Sequence, residues 1–159
     1  MNVTVDLSDG SSTGWTPSSD AIQQWSRIAL ECAGQTEDAE LSLRLVDENE
    51  GRQLNREYRG KDYATNVLSF PMQLPDELGL ESGAPLSFLG DIVICPQVVN
   101  DEAEQQDKPA VNHWAHLIIH GTLHLLGYEH ENEAGAEQME GLEIKALQIL
   151  GIPNPYLIG

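Results

Sequence analysis

The chain has 159 residues, with 26 acidic and eight basic side chains, a formal net charge of −18 and 40% hydrophobic residues. That length suits a single domain, residues 1–159, with a substantial core, and the acidic balance argues against a general polyanion binder. Cys32 and Cys95 stand apart from each other and form no CxxC pair or disulfide framework, which points to buried free thiols in a reducing compartment.

Residues Met1–Leu7 have neither a basic nor a long apolar segment, and no apolar run reaches membrane-spanning length. The expectation is a soluble, cytoplasmic protein with no membrane contact. Five of the eight basic residues (Arg44, Arg52, Arg56, Arg59 and Lys61) fall between positions 44 and 61. Such a patch can hold a phosphate backbone locally, or it can be an ordinary solvated helix face. Charge alone leaves both open.

Taken in order, Asn2–Leu7 alternates apolar and polar and reads as a strand with Val3, Val5 and Leu7 on one side. A Gly/Ser-rich loop follows, and Thr16-Pro17 reads as the cap and first residue of a helix to about Cys32, burying Ile22, Trp25, Ile28 and Ala29. Leu41, Leu43 and Leu45 alternate through a second strand. Asp47 then reads as the cap of a helix carrying Leu54 and Tyr58, with Arg52, Arg56 and Arg59 on its polar side or just past its end. Thr65–Phe70 is a strand stopped by Pro71.

Gln73–Ser87 is a long acidic connection with two prolines, either a binding loop or plain surface. Phe88–Ile94 is a buried strand, Pro96 opens a helix to about Gln106, and Pro109 breaks it. A helix from about Ala110 to Leu126 carries histidines, and a last helix runs from about Glu133 to Leu150. The last helix is expected to bury Met139, Leu142, Ala146 and Leu147 and to expose Glu133, Glu137, Glu140 and Glu143. Four strands among four to five helices, the helices consecutive at the end, predict an α+β fold with a small mixed sheet.

All five histidines lie within residues 113–130. His120, His124 and His130 have the spacing H-x-x-x-H-x-x-G-x-x-H. On a helix, His120 and His124 share one face a turn apart, and Gly127 ends the helix so that the chain can bring His130 back. Three converging imidazoles suit a tetrahedral divalent ion with its fourth position open, one Zn2+ per chain by preference, although Ni2+ suits the same nitrogens. The spacing matches that of a metzincin peptidase except that Gly121 stands where the general-base Glu belongs. Glu129, Asp91 or a backbone carbonyl could orient an imidazole from behind. His116 either lines the cleft or is structural, His113 and Trp114 are assigned to packing, and Met139 to the core.

Three segments resemble the YbeY family of ribosomal-RNA-maturation endoribonucleases. They are Tyr58–Pro71 (YRGKDYATNVLSFP), Leu89–Ile94 (LGDIVI), and His113-Trp114-Ala115-His116 running into His120–His130. Glu129 and Asn66 occupy places where the family commonly has Asp. The resemblance implies a metal-dependent, single-strand-directed endoribonuclease in small-subunit rRNA 3′-end maturation and ribosome quality control. Its implied partners are single-stranded RNA, rRNA and the small ribosomal subunit with its proteins, with no DNA expected. It also implies that Arg59 works with the metal site, making Arg59 and His120 the candidate catalytic residues and His120, His124 and His130 the metal ligands. Two other readings stand beside it: a metallopeptidase-like hydrolase, and a non-catalytic, metal-stabilised ribosome-assembly factor.

Overall fold

The computed structural model describes residues 1–11, 15–72, 88–129 and 131–156. Among them the elements in chain order are β1 (Val3–Asp9), α1 (Ser19–Cys32), β2 (Ala39–Leu45), α2 (Glu48–Arg59), β3 (Val67–Pro71), β4 (Phe88–Ile94), α3 (Pro96–Gln105), α4 (Ala110–Leu125) and α5 (Glu133–Ile149). The strands form one mixed sheet in the order β1-β2-β4-β3, with β1, β2 and β4 parallel and β3 antiparallel to β4. This is the expected α+β fold. The Gln73–Ser87 connection lies outside the described residues.

The two faces of the sheet are covered differently. Leu41, Leu43 and Leu45 of β2 and Ile92 and Ile94 of β4 point one way, into a core shared with Ile22 and Trp25 of α1 and with Trp114, Ile118 and Leu123 of α4. Val93, Leu68 and Cys95 point the other way and meet Leu54 of α2. The alternation follows from the two-residue period of a strand. Helix α4 touches α1, α3, α5, β3 and β4, which explains why its sequence is apolar on more than one side.

The first helix begins two residues later than expected. Ser18, not Thr16, is the cap, its hydroxyl accepting from the Ala21 amide at 3.2 Å. Pro71 does not merely stop β3; it is the last residue of that strand and pairs with Gly90. Gly90 has φ +143°, and a Cβ there would lie 2.3 Å from the Phe70 carbonyl oxygen, so β3 approaches β4 closely only because position 90 is glycine.

Candidate functional site

The site begins with how α4 ends. Gly127 adopts φ +99°; its amide donates to the His124 carbonyl at 3.0 Å, and the Tyr128 amide reaches back to the Leu123 carbonyl at 3.2 Å. This pair of bonds is the Schellman closure of a helix. It also turns the Tyr128 carbonyl inward, where it accepts from His124 Nδ1 at 2.8 Å. Helix α2 closes in the same manner at Gly60, φ +72°, and leaves Tyr58 and Arg59 in its last turn beside the cleft.

His120 Nε2 and His124 Nε2 face each other at 3.0 Å. The Tyr128 carbonyl can only accept, so His124 carries its proton on Nδ1. His120 Nδ1 lies 3.0 Å from the Glu143 carboxylate, which likewise accepts. Both Nε2 lone pairs are thereby aimed at one locus, an arrangement that a shared proton or a bound cation relieves. Two nitrogens bound tetrahedrally to one zinc would stand about 3.3 Å apart, close to the spacing observed, so the donor set fits a divalent ion. The locus sits at the C-terminal end of α4, where the helix dipole favours positive charge. Among the described residues no third His, Cys, Asp or Glu joins the pair; His130 lies outside them.

Glu143 corrects the sequence reading. Expected on the exposed side of α5, it is 1% exposed. Its Oε1 accepts from His116 Nε2 at 2.7 Å and from His120 Nδ1, while the Tyr156 hydroxyl donates to its two oxygens at 3.1 and 3.0 Å. Burial pushes the carboxyl up, but the hydrogen bonds from His116 and His120 prevail and hold it at about 2. The signal was in the sequence: Met139, Glu143, Ala146 and Leu147 fall at i, i+4, i+7 and i+8, on the buried stripe itself.

The carboxylate's contribution to stability is therefore complete above its ordinary value of 4.5 and is lost as pH falls toward about 2. We expect the stability gap between wild type and Glu143→Gln, measured by urea unfolding of metal-free protein, to hold steady above about pH 5 and to shrink as pH falls from there toward about pH 2. A gap that stays constant over this range would contradict an ionised, hydrogen-bonded Glu143.

The remaining candidates separate clearly. Asp91 does not orient an imidazole; it accepts from the Ser42 hydroxyl on β2, an exposed pairing. Glu129 lines the cleft beside His120 and His124. His116 is one turn from His120 and serves as a donor to Glu143. His113 is buried as expected but not by packing alone, since it pairs with Glu102 at 2.9 Å. Met139 and Trp114 are core. At Gly121 a Cβ would lie 3.2 Å from the Ser69 hydroxyl and 3.3 Å from Ile92 Cδ1. The position where a peptidase carries its base is thus packed closely against β3 and β4 and has little room for a side chain.

The cleft itself measures about 420 Å³ and is lined by Tyr58, Arg59, residues 65–71 of the β3 segment, His120, His124, Glu129 and Glu131. Arg59, expected as the partner of the site, therefore does share it. The other arginines of the basic patch are engaged: Arg44 pairs with Glu50, Arg52 bidentately with Asp62 at 2.9 and 3.0 Å, and Arg56 more loosely with Asp62. Arg59 has no ion pair among the described residues. The loop leading to β3 is pinned by that Arg52–Asp62 pair and by buried Asn55, which donates to the Tyr63 carbonyl at 2.8 Å. Asn66 donates to Glu102 at 3.0 Å.

Comparison with known proteins places the chain in a family. The family model described as Endoribonuclease YbeY matches residues 10–151, a span that includes Arg59 and all three proposed ligands. The chain belongs to the YbeY endoribonuclease family. A relative named Endoribonuclease YbeY from Alkalilimnicola ehrlichii is 54% identical over 140 residues, covering 88% of this chain and 82% of that one. Another of the same name, from Stutzerimonas stutzeri, is 53% identical over 145 residues, covering 91% and 86%. The solution structure of TM1509 from Thermotoga maritima superposes with TM-score 0.56 at 23% identity, over 97% of this chain and 99% of that one. That last likeness concerns the fold alone. No helix among the described residues is long and apolar enough to cross a membrane.

Proposed function

We propose that this YbeY-family chain is a metal-dependent endoribonuclease that cleaves single-stranded RNA, with His120, His124 and His130 holding one Zn2+ per chain. The observation that carries the reading is the convergence of His120 Nε2 and His124 Nε2 on one locus, in the same cleft as an arginine without an ion pair among the described residues. A divalent ion held there supplies Lewis acidity toward a phosphoryl oxygen and acidifies water near it.

The rest of the chemistry belongs to the chain. Arg59 presents paired N–H donors that match two oxygens of a phosphate, which orients the phosphodiester and offsets its charge. Glu143 and the Tyr128 carbonyl hold the two imidazoles in the tautomer and orientation that expose Nε2. The acidic remainder of the chain repels polyanions elsewhere, which favours productive docking at the cleft. Kinship with the family makes small-subunit rRNA 3′-end maturation and ribosome quality control in the cytoplasm the proposed setting, with the small ribosomal subunit as partner. Peptide hydrolysis is disfavoured because Gly121 leaves no base in the metzincin position.

The test is a comparison of wild type and His120→Ala from identical preparations, by elemental analysis and by cleavage of a single-stranded RNA. Wild type is expected to hold zinc and cleave, and His120→Ala to lose both together. Equal cleavage by the two proteins would reveal a contaminating ribonuclease and leave the non-catalytic assembly-factor reading in its place.

A further inference from the structure

The cleft carries an aromatic surface that phosphate and metal chemistry does not use. Tyr58, carried with Leu54 on α2, is 64% exposed. Its ring stands edge-on to that of Phe70 on β3, with centroids 5.0 Å apart and planes at 68°. Both rings line the cleft together with Arg59, His120 and His124. A single exposed aromatic needs no explanation. An aromatic ring buttressed by a second one, beside a guanidinium and within a candidate nuclease cleft, is the combination by which proteins hold unpaired bases.

We propose that Tyr58, braced by Phe70, is a stacking platform for one unpaired nucleobase of the strand whose phosphate Arg59 holds. The proposal rests on the endoribonuclease reading and deepens it by naming what selects single strands. In a duplex each base is covered on both faces by its neighbours, so only an unpaired base can offer a face to the ring. The occupant is an RNA strand because of charge: Arg59 adjoins the platform in sequence and shares its cleft, in a chain otherwise strongly acidic. Stacking reads a π face rather than a hydrogen-bonding edge, so the platform tolerates any base. Glu129 and Glu131 line the same cleft on the segment after α4, and they disfavour a path for the phosphates on that side.

The experiment uses the zinc-loaded full chain and a labelled single-stranded RNA oligonucleotide, together with copies carrying one abasic nucleotide at each position in turn. Tyr58→Leu, which keeps apolar bulk but removes the ring, is expected to raise KM about 5- to 100-fold with a much smaller change in kcat. Tyr58→Phe is expected to recover most of that loss. One abasic position should weaken wild type by a similar factor and weaken Tyr58→Leu no further. Unchanged KM in Tyr58→Leu, or a loss that persists whatever the abasic position, overturns the platform. Unchanged RNA affinity together with weaker association with small ribosomal subunits would assign the ring to a protein contact, and also overturns it. Wild-type protein that neither binds nor cleaves RNA refutes the endoribonuclease reading itself, a result visible before any variant is compared.

Discussion

Replacing Arg59 by lysine is expected to lower RNA cleavage by roughly 100-fold while bound zinc stays at the wild-type level. The substitution conserves charge, so the loss isolates what only guanidinium provides: a planar fork with two parallel donors for two phosphate oxygens. Position matters as much as chemistry. Arg52 and Arg56 are turned to Asp62 and Arg44 to Glu50, whereas Arg59 lies at the end of α2 against the cleft. Arg52→Lys is the natural control, since an ion pair between two exposed side chains is screened by solvent and contributes little, so its loss should leave cleavage nearly unchanged. Parallel measurement of zinc content and single-turnover cleavage decides the matter. If Arg59→Lys lost metal and activity to the same degree, Arg59 would be a structural residue rather than a phosphate clamp.

Glu143→Ala is expected to weaken zinc binding about 10- to 100-fold and to destabilise the metal-free protein by about 1–3 kcal/mol. Both effects come from one carboxylate. Removing it strips the acceptor from His120 Nδ1, so the ring loses the bond that fixes its tautomer and its aim. It also takes from half-buried His116 and from the Tyr156 hydroxyl the acceptor they share, and losing a charged acceptor from such a network is costly. Glu143→Gln keeps an acceptor oxygen but not the charge, and should fall between wild type and alanine in metal affinity. Competition against a chelator measures the first effect and urea unfolding the second. A folded Glu143→Ala protein that held zinc as tightly as wild type would show that His120 needs no support from α5.

These two residues were legible to different degrees. Arg59 stood out within a run of basic side chains and within a motif that resembled the family, but charge alone could not separate it from Arg52 or Arg56. Only the closure of α2 at Gly60 and the Arg52–Asp62 pair distinguish the arginine that meets the cleft from those that do not. Glu143 was misread because three other glutamates of α5 set the apparent polar face. Charge was weighed above phase, although the phase with Met139 and Ala146 was correct. For Tyr58 the sequence named only a place beside Leu54 on the helix; the structure packs Leu54 against the second core cluster and leaves Tyr58 exposed.

What the linear order of residues determined by itself was whatever depends on neighbours a few positions apart. It set the strand alternations, the i,i+4 placement of His120 and His124, and the glycine stop after them, because backbone geometry imposes those periods locally. The tertiary structure alone decided which donors and acceptors from distant elements meet. Glu143 reaches His120 from another helix, and Arg59 and Tyr58 reach the imidazole cleft from across the sheet edge. Such pairings follow from how helices pack on a twisted sheet, and no local period records that.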